Sequence, residues 1–282
     1  MLFYNPNLNK EDYIVATYWI KTVKNSNLAK AAWDLAIGQS VGNPNVRNAW
    51  ETDELFERNS CIVMHEKNEI DNMTEGLVKI GFPKINTDWN GDGISHLLCQ
   101  LMGGQMDIDI FKSCRLKYIE FPESVKKFFL GPKFGITGMR KLTNQYSKPF
   151  SGAIVKPKIG MNAETLLEMV KELVDGGVDF IKEDEIMSSP SFCSLEDRVP
   201  LISNFLNSQS RKIVYSICIN GDHDHVLKRA DFVAQEGGNS VHINFWSGLG
   251  VYNAIRKKDL PLFIHFQKSG DRVITNKNHD FG

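Results

Sequence analysis

The sequence predicts an α/β protein in two parts: an N-terminal α+β domain on an antiparallel sheet, then a series of parallel βα units. Two observations carry this. Early in the chain, strand-like runs follow one another with no helix recognisable between them, as in an antiparallel sheet with helices on one face. From about Ser151 onward, strand and helix patterns alternate through five repeats, and two of the helices end in Gly-Gly immediately before the next strand.

In the first part, YIVATYWIKT (13–22) alternates like a strand, and LAKAAWDLAIGQS (28–40) has apolar residues at helical spacing. SCIVMHE (60–66) and GLVKIGFP (76–83) predict two further strands, ISHLLCQLMGG (94–104) a helix closed by glycines, and LKYIEFP (116–122) a fourth strand. Phe128, Phe129 and Phe134 suggest domain packing, and the expected domains are residues 1–129 and 130–282.

In the second part the expected strands are SGAIVKPK (151–158), VDFIKEDE (178–185), KIVYSICIN (212–220), SVHINF (240–245) and LPLFIHFQ (260–267). AETLLEMVKELVDGG (163–177) and HDHVLKRADFVAQEGG (223–238) are amphipathic helices. Apolar strands in series with helices indicate a parallel sheet covered on both faces. A closed barrel needs eight strands, and after Gln267 only a polar stretch, KSGDRVITNKNHDFG, remains. An open doubly wound sheet and an incomplete barrel both fit, and the second carries the expectation that the natural protein continues.

Composition narrows the function classes. With 282 residues and a formal net charge of -1, the chain has no electrostatic bias toward nucleic acid or anionic membrane. Five cysteines (Cys61, Cys99, Cys114, Cys193, Cys218) without a CxxC pair fit a reducing, cytoplasmic setting. The first residues lack the pattern of a signal peptide, and no apolar run approaches the roughly 20 residues needed to span a bilayer. P-loop, GxGxxG, nucleophile-elbow and zinc spacings are absent.

Chemistry-bearing residues gather where the second-part strands end. These are Lys156 and Lys158, then Lys182, Glu183, Asp184 and Glu185, then Asn220, Asn244, His265 and Gln267. In parallel barrels that end of the sheet holds the active site. Period-two alternation pairs Lys156 with Lys158 and Lys182 with Asp184. Charged strand ends are commonly just solvated. Against that, Lys182 follows the apolar run Val178–Ile181, and the acidic cluster of Glu183, Asp184 and Glu185 offers the hard oxygen ligands that suit magnesium. Asp222-His223-Asp224-His225 is read as a helix start with aspartate capping, and His242 as a hydrogen-bonded core residue.

SGAIVKPKIGMNAE followed by GGVDFIKEDEIMSSPSFCSLEDRV resembles the RuBisCO large-chain superfamily, in which a KPK-G segment precedes GG-x-DF-x-K-x-DE. LGPKFGITGMRKLTNQYSKPF resembles that family's lead-in to its barrel. The resemblance runs from about Tyr13 to the end and is strongest at 130–200. It implies a (β/α)8 TIM-type barrel after the N-terminal domain, of which about five βα units are present. It makes Lys182 a lysine that takes up CO2 as a carbamate and binds Mg2+ together with Asp184 and Glu185. Lys156 becomes an acid/base group, Lys158 its electrostatic neighbour, His265 a further catalytic residue, and Lys158, Asn220, Gln267 and Lys268 substrate-binding residues. Carbamate formation needs a neutral amine. Burial, Lys156 and Lys158 favour one at Lys182, while the acidic neighbours oppose it.

Departures point to the non-carboxylating, RuBisCO-like (form IV-like) branch. A glutamate and a Thr-Trp pair of carboxylating members are matched by Gly38, Asn43 and Pro44, an asparagine by His96, and His-x-His-Arg by His265-Phe266-Gln267-Lys268. KIVYSICINGDHDHVLKRADFVAQEGGNSVHINFWSGLG resembles members that decarboxylate a phosphorylated 3-oxo sugar acid. The expected function is Mg2+-dependent C–C lysis through an enediolate on a small phosphorylated ketose or keto acid, in a homodimer. Its alternatives are ribulose-bisphosphate carboxylation, an enolase or isomerase step on a methylthio-ketose phosphate, and a truncated, non-catalytic paralogue.

Overall fold

The computed structural model describes residues 3–43 and 46–272. Residues up to Phe129 make one compact unit and Leu130–Gly270 another.

The first unit is a four-stranded sheet in the order β2-β3-β1-β4. Its central strand, β1 (Tyr13–Thr22), runs antiparallel to both neighbours and places Ile14, Ala16, Tyr18 and Ile20 in the core. Helix α1 (Leu28–Gly38) lies on that face. Asn27 Oδ1 accepts the Lys30 amide at 2.8 Å to start the helix, and four small buried residues (Ala29, Ala31, Ala32, Ala36) line its core side. Helix α2 (Asp53–Asn59), capped by Thr52, was not legible in the sequence. It ends just before β2 (Ile62–Val63), and α3 (Lys67–Ile70) follows, so the run expected as a seven-residue strand pairs over two residues only. A short helix therefore separates the two strands expected to be adjacent. β3 (Glu75–Pro83) leads to α4 (Gly93–Leu101) and then β4 (Phe111–Glu120), which starts five residues earlier than expected. Its opening FKSCR has a polar pattern because this edge strand is only half covered, yet it pairs with Thr22 to Trp19 of β1. Helix α5 (Glu123–Lys126) closes the unit, with Phe129 packed edge-on against Trp89 and Phe121.

The second unit opens with α6 (Gly135–Thr143) and then alternates. β5 (Gly152–Ile154), α7 (Ala163–Asp175), β6 (Phe180–Lys182), α8 (Leu195–Ser208), β7 (Val214–Cys218), α9 (His223–Gln235), β8 (Ser240–Asn244), α10 (Leu249–Lys257) and β9 (Phe263–Gln267) follow in order. All strand pairs are parallel and the sheet order is β5-β6-β7-β8-β9. A doubly wound sheet reverses its strand order at a switch point. This one does not, so the unit is a partial (β/α) barrel and the doubly wound alternative is excluded.

Helices α8 and α10 lack a clear signal in the sequence. In α8, Pro200 interrupts the pattern, since its missing N–H leaves the Glu196 carbonyl without its helical donor. The helix survives because Ser194 caps it through the Asp197 amide and Leu195, Val199, Ile202 and Leu206 are buried. On one sheet face Ile181, Tyr215, Ile217, Val241 and Ile243 join the core formed with the helices. Alternation then turns Lys182, Ser216, Ser240, His242 and His265 to the opposite, inner face. The Ser240 hydroxyl donates to Ser216 Oγ there at 3.1 Å.

Candidate active site

The first four strands of the second unit end earlier than expected, whereas β9 ends at Gln267 as expected, and this decides where the site residues lie. In β5 the ladder closes with the Val155 amide donating to the Lys182 carbonyl at 3.0 Å. Pro157 has no N–H with which to continue it. Lys156 and Lys158 therefore sit on the loop after the strand, and the expected shared strand face for them does not exist. Lys158 is exposed and makes no ion pair or hydrogen bond among the described residues. Lys156 reaches Asp184, its Nζ donating to Oδ2 at 2.6 Å.

β6 likewise ends at Lys182, and Asp184 opens a turn closed by the Met187 amide on the Asp184 carbonyl. Lys182 and Asp184 are each 3% exposed. Lys182 Nζ lies 3.5 Å from Glu185 Oε2, which also accepts a bond from Gln267 Nε2 at 2.9 Å. Burial alone would raise the Glu185 carboxyl. Its own backbone amide, Gln267, Ser269 and the Lys182 charge outweigh that and bring it down to about 2. Asp184 Oδ1 is buried with no hydrogen-bond partner among the described residues. In a protein interior such an oxygen calls for an explanation, and a bound water or ion is the ordinary one.

Glu183 corrects the expected acidic cluster. It is fully buried and turned away from its two acidic neighbours, onto Arg198, which is also fully buried. Arg198 Nε and Nη2 donate to its two oxygens at 2.9 and 3.0 Å, the Cys218 amide at 2.7 Å and the Tyr215 hydroxyl at 3.0 Å. Arg198 also donates to the carbonyls of Cys193, Ser188 and Cys218. This pair anchors the segment between β6 and α8 to the end of β7. The available signal was an arginine falling on the buried stripe of Leu195, Val199, Ile202 and Leu206.

Asn220 Nδ2 donates to the Glu185 carbonyl at 2.6 Å, and Asn220 Oδ1 accepts the Asn244 amide at 2.7 Å. Gln267 and Asn220 are thus both committed to Glu185, while Lys268 is exposed. His265 stacks near Phe180 at 5.6 Å and meets His242 edge-on at 6.1 Å. Burial and the Lys182 charge lower its imidazole.

His242 is not the hydrogen-bonded core residue expected. It is fully buried, but neither ring nitrogen has a partner among the described residues. Burial first, then Lys182 and His265, bring its imidazole down to about 3. At the start of α9, Asp222 occupies the N-cap position without making the side-chain capping bond expected of it. In the first unit, a Cβ added at Gly38 would lie 2.1 Å from Gln105 Cδ, so the Gln105 side chain fills the space a larger residue would need. Pro44 and the tail from residue 273 lie outside the described residues.

Among the described residues no three His, Cys, Asp or Glu side chains converge as a metal-holding group, and no helix is long and apolar enough to cross a membrane. What the end of β6 presents is two lysine–carboxylate pairs, Lys156 with Asp184 and Lys182 with Glu185.

Comparison with known proteins identifies the family. The family model for the ribulose bisphosphate carboxylase large chain, catalytic domain, matches residues 135–282. A 3-oxo-isoapionate-4-phosphate transcarboxylase/hydrolase of Xanthobacter autotrophicus is 32% identical over 273 residues, covering 89% of this chain and 64% of that protein. A 3-oxo-isoapionate-4-phosphate decarboxylase of Rhizobium etli is 35% identical over 206 residues, covering 70% of this chain and 48% of that protein. The octameric ribulose-1,5-bisphosphate carboxylase/oxygenase of Pyrococcus horikoshii superposes with a TM-score of 0.87 at 26% identity, over 98% of this chain and 65% of that one. The chain thus spans about half to two-thirds of the length of these relatives. It belongs to the RuBisCO large-chain superfamily, in its RuBisCO-like branch.

Proposed function

We propose that the chain carries the metal-carboxylate site of a C–C lyase that decarboxylates a small phosphorylated 3-oxo sugar acid. The observation that carries this reading is the pair of lysine–carboxylate contacts at the end of β6, buried Lys182 with Glu185 and Lys156 with Asp184, where one Asp184 oxygen is buried and unpartnered among the described residues. The names of the curated relatives support the substrate class.

The donor set fits magnesium. Two carboxylates are the usual protein contribution, and CO2 added to the Lys182 amine would supply a third oxygen ligand while replacing a cation with an anion. Bound there, Mg2+ would supply a Lewis acid for the substrate carbonyl oxygen. Gln267 and Asn220 hold Glu185 in place, which is how they would contribute to substrate binding. Exposed Lys158 and Lys268 are proposed phosphate contacts. In the reaction the bond to the carboxylate breaks, CO2 leaves, and the electron pair moves into the 3-oxo carbonyl to give an enolate. Lys156, held at the site by Asp184, delivers the proton that restores the ketone. His265, uncharged at neutral pH, is a second group able to handle that proton. A two-fold homodimer and a cytoplasmic setting complete the proposal.

The test is CO2 release from 3-oxo-isoapionate 4-phosphate in the presence of Mg2+ and bicarbonate. Release that is abolished by Lys182→Ala and by Asp184→Asn is expected. Release that persists in both variants rules the site out.

A further inference from the structure

The loops after β6, β7, β8 and β9 surround an open depression of about 440 Å³, within the range of small-ligand sites. Glu185, Asn220, Asn244, Trp246, Ser247 and Ser269 line it. It adjoins the proposed metal site through Glu185, so a role for it in substrate binding rests on that assignment. Among the described residues, no lysine or arginine lines it. Trp246 stands in the depression with 61% of its surface exposed.

The indole is held in position. Asn244 Oδ1 accepts the Trp246 amide at 3.0 Å and fixes the turn, and the ring of Phe245 packs against it at 4.5 Å. Gly270, at φ +95°, forms the wall behind it, and a Cβ there would lie 2.6 Å from Trp246 Nε1. A rigid, exposed aromatic face in an open pocket gains most from a ligand that covers it with carbon. The neighbouring amides cannot select a ligand strongly, since Asn220 and Asn244 each use both amide atoms within the protein. Ser247 and Ser269 add hydroxyls. A phosphate placed here would meet no cation among the lining residues and would lie beside the charged Glu185 carboxylate, an arrangement opposed by desolvation and repulsion.

We propose that Trp246 determines specificity. Its indole takes the uncharged, CH-rich end of a monophosphorylated ketose or keto acid and denies that end to a second phosphate.

Calorimetric binding of D-ribulose 5-phosphate and D-ribulose 1,5-bisphosphate to the full chain with Mg2+ tests this, with the Mg2+ affinity of each variant measured separately. The wild type should bind the monophosphate more tightly. Trp246→Ala should weaken the monophosphate by roughly tenfold, Trp246→Phe should retain the preference, and Trp246→Lys should shift it toward the bisphosphate. Mg2+ affinity should be the same in all four proteins. A wild type that prefers the bisphosphate overturns the proposal. So does an unchanged ratio of the two affinities in both Trp246→Ala and Trp246→Lys. Loss of Mg2+ binding on Asp184→Asn reads the metal assignment independently, so failure of that assignment is not confused with failure of the role of Trp246.

Discussion

Removing either member of the Glu183–Arg198 pair should destabilise the barrel unit strongly, and removing both should cost much less than the two losses added. Glu183 accepts four hydrogen bonds, two from Arg198, one from the Cys218 amide and one from the Tyr215 hydroxyl, and neither charged side chain reaches water. Glu183→Gln leaves the Arg198 guanidinium charged and uncompensated in the interior, and Arg198→Met does the same to the carboxylate. Breaking a buried pair from one side costs about 3–5 kcal/mol, which for a unit of this size corresponds to a fall in melting temperature of about 6–20 °C. The double variant removes both charges and should lose substantially less than the sum, with a coupling energy of at least about 2 kcal/mol. Differential scanning calorimetry of the four proteins gives the cycle. Strict additivity, or single variants within about 0.5 kcal/mol of wild type, would refute the reasoning and make the pair a solvated one.

Other outcomes follow from the same geometry. His242 is neutral in the fold with its imidazole at about 3, whereas the unfolded chain protonates it near 6.5. Its contribution to stability is therefore complete above pH 6.5 and is lost as pH falls toward 3, at up to about 1.4 kcal/mol per pH unit. Comparison of denaturation midpoints with His242→Gln between about pH 4 and 7 checks this, and parallel pH profiles would count against it. Lys156→Met frees Asp184 of its ion pair, so it should retain or strengthen Mg2+ binding while stopping deuterium incorporation from solvent into the product. Continued incorporation means another group delivers the proton. Light scattering of the protein should show a dimer, and active monomer would remove the homodimer from the proposal.

The parallel half of the fold was legible because its strands are apolar and two of its helices are closed by Gly-Gly, local signals that agree with the tertiary structure. The N-terminal half was legible at β1, α1, β3 and α4, but not at α2 or the early part of β4. There the apolar pattern is interrupted by charges on half-covered surfaces, so pairing with β1 rather than local sequence makes the strand. The place of Lys182, Asp184 and Glu185 at the end of β6 was legible from residue type and pattern. Which acid faces which way was not, since Glu183 is assigned by Arg198, fifteen residues on. The ends of β5 and β6 were misplaced because alternation was extended through Pro157 and through a turn. The nitrogens of His242, without a partner among the described residues, have no sequence signal at all.

The central assignment is most directly tested by calorimetric titration of Mg2+ into the protein with and without bicarbonate, for wild type and Lys182→Ala. A protonated lysine beside Asp184 and Glu185 repels the ion, whereas a carbamate on it adds a ligand. Wild-type affinity should therefore rise with bicarbonate and with pH, and Lys182→Ala should bind weakly under all conditions. Affinity indifferent both to bicarbonate and to Lys182→Ala would show that the acidic pair at the end of β6 is a solvated strand end rather than a metal site.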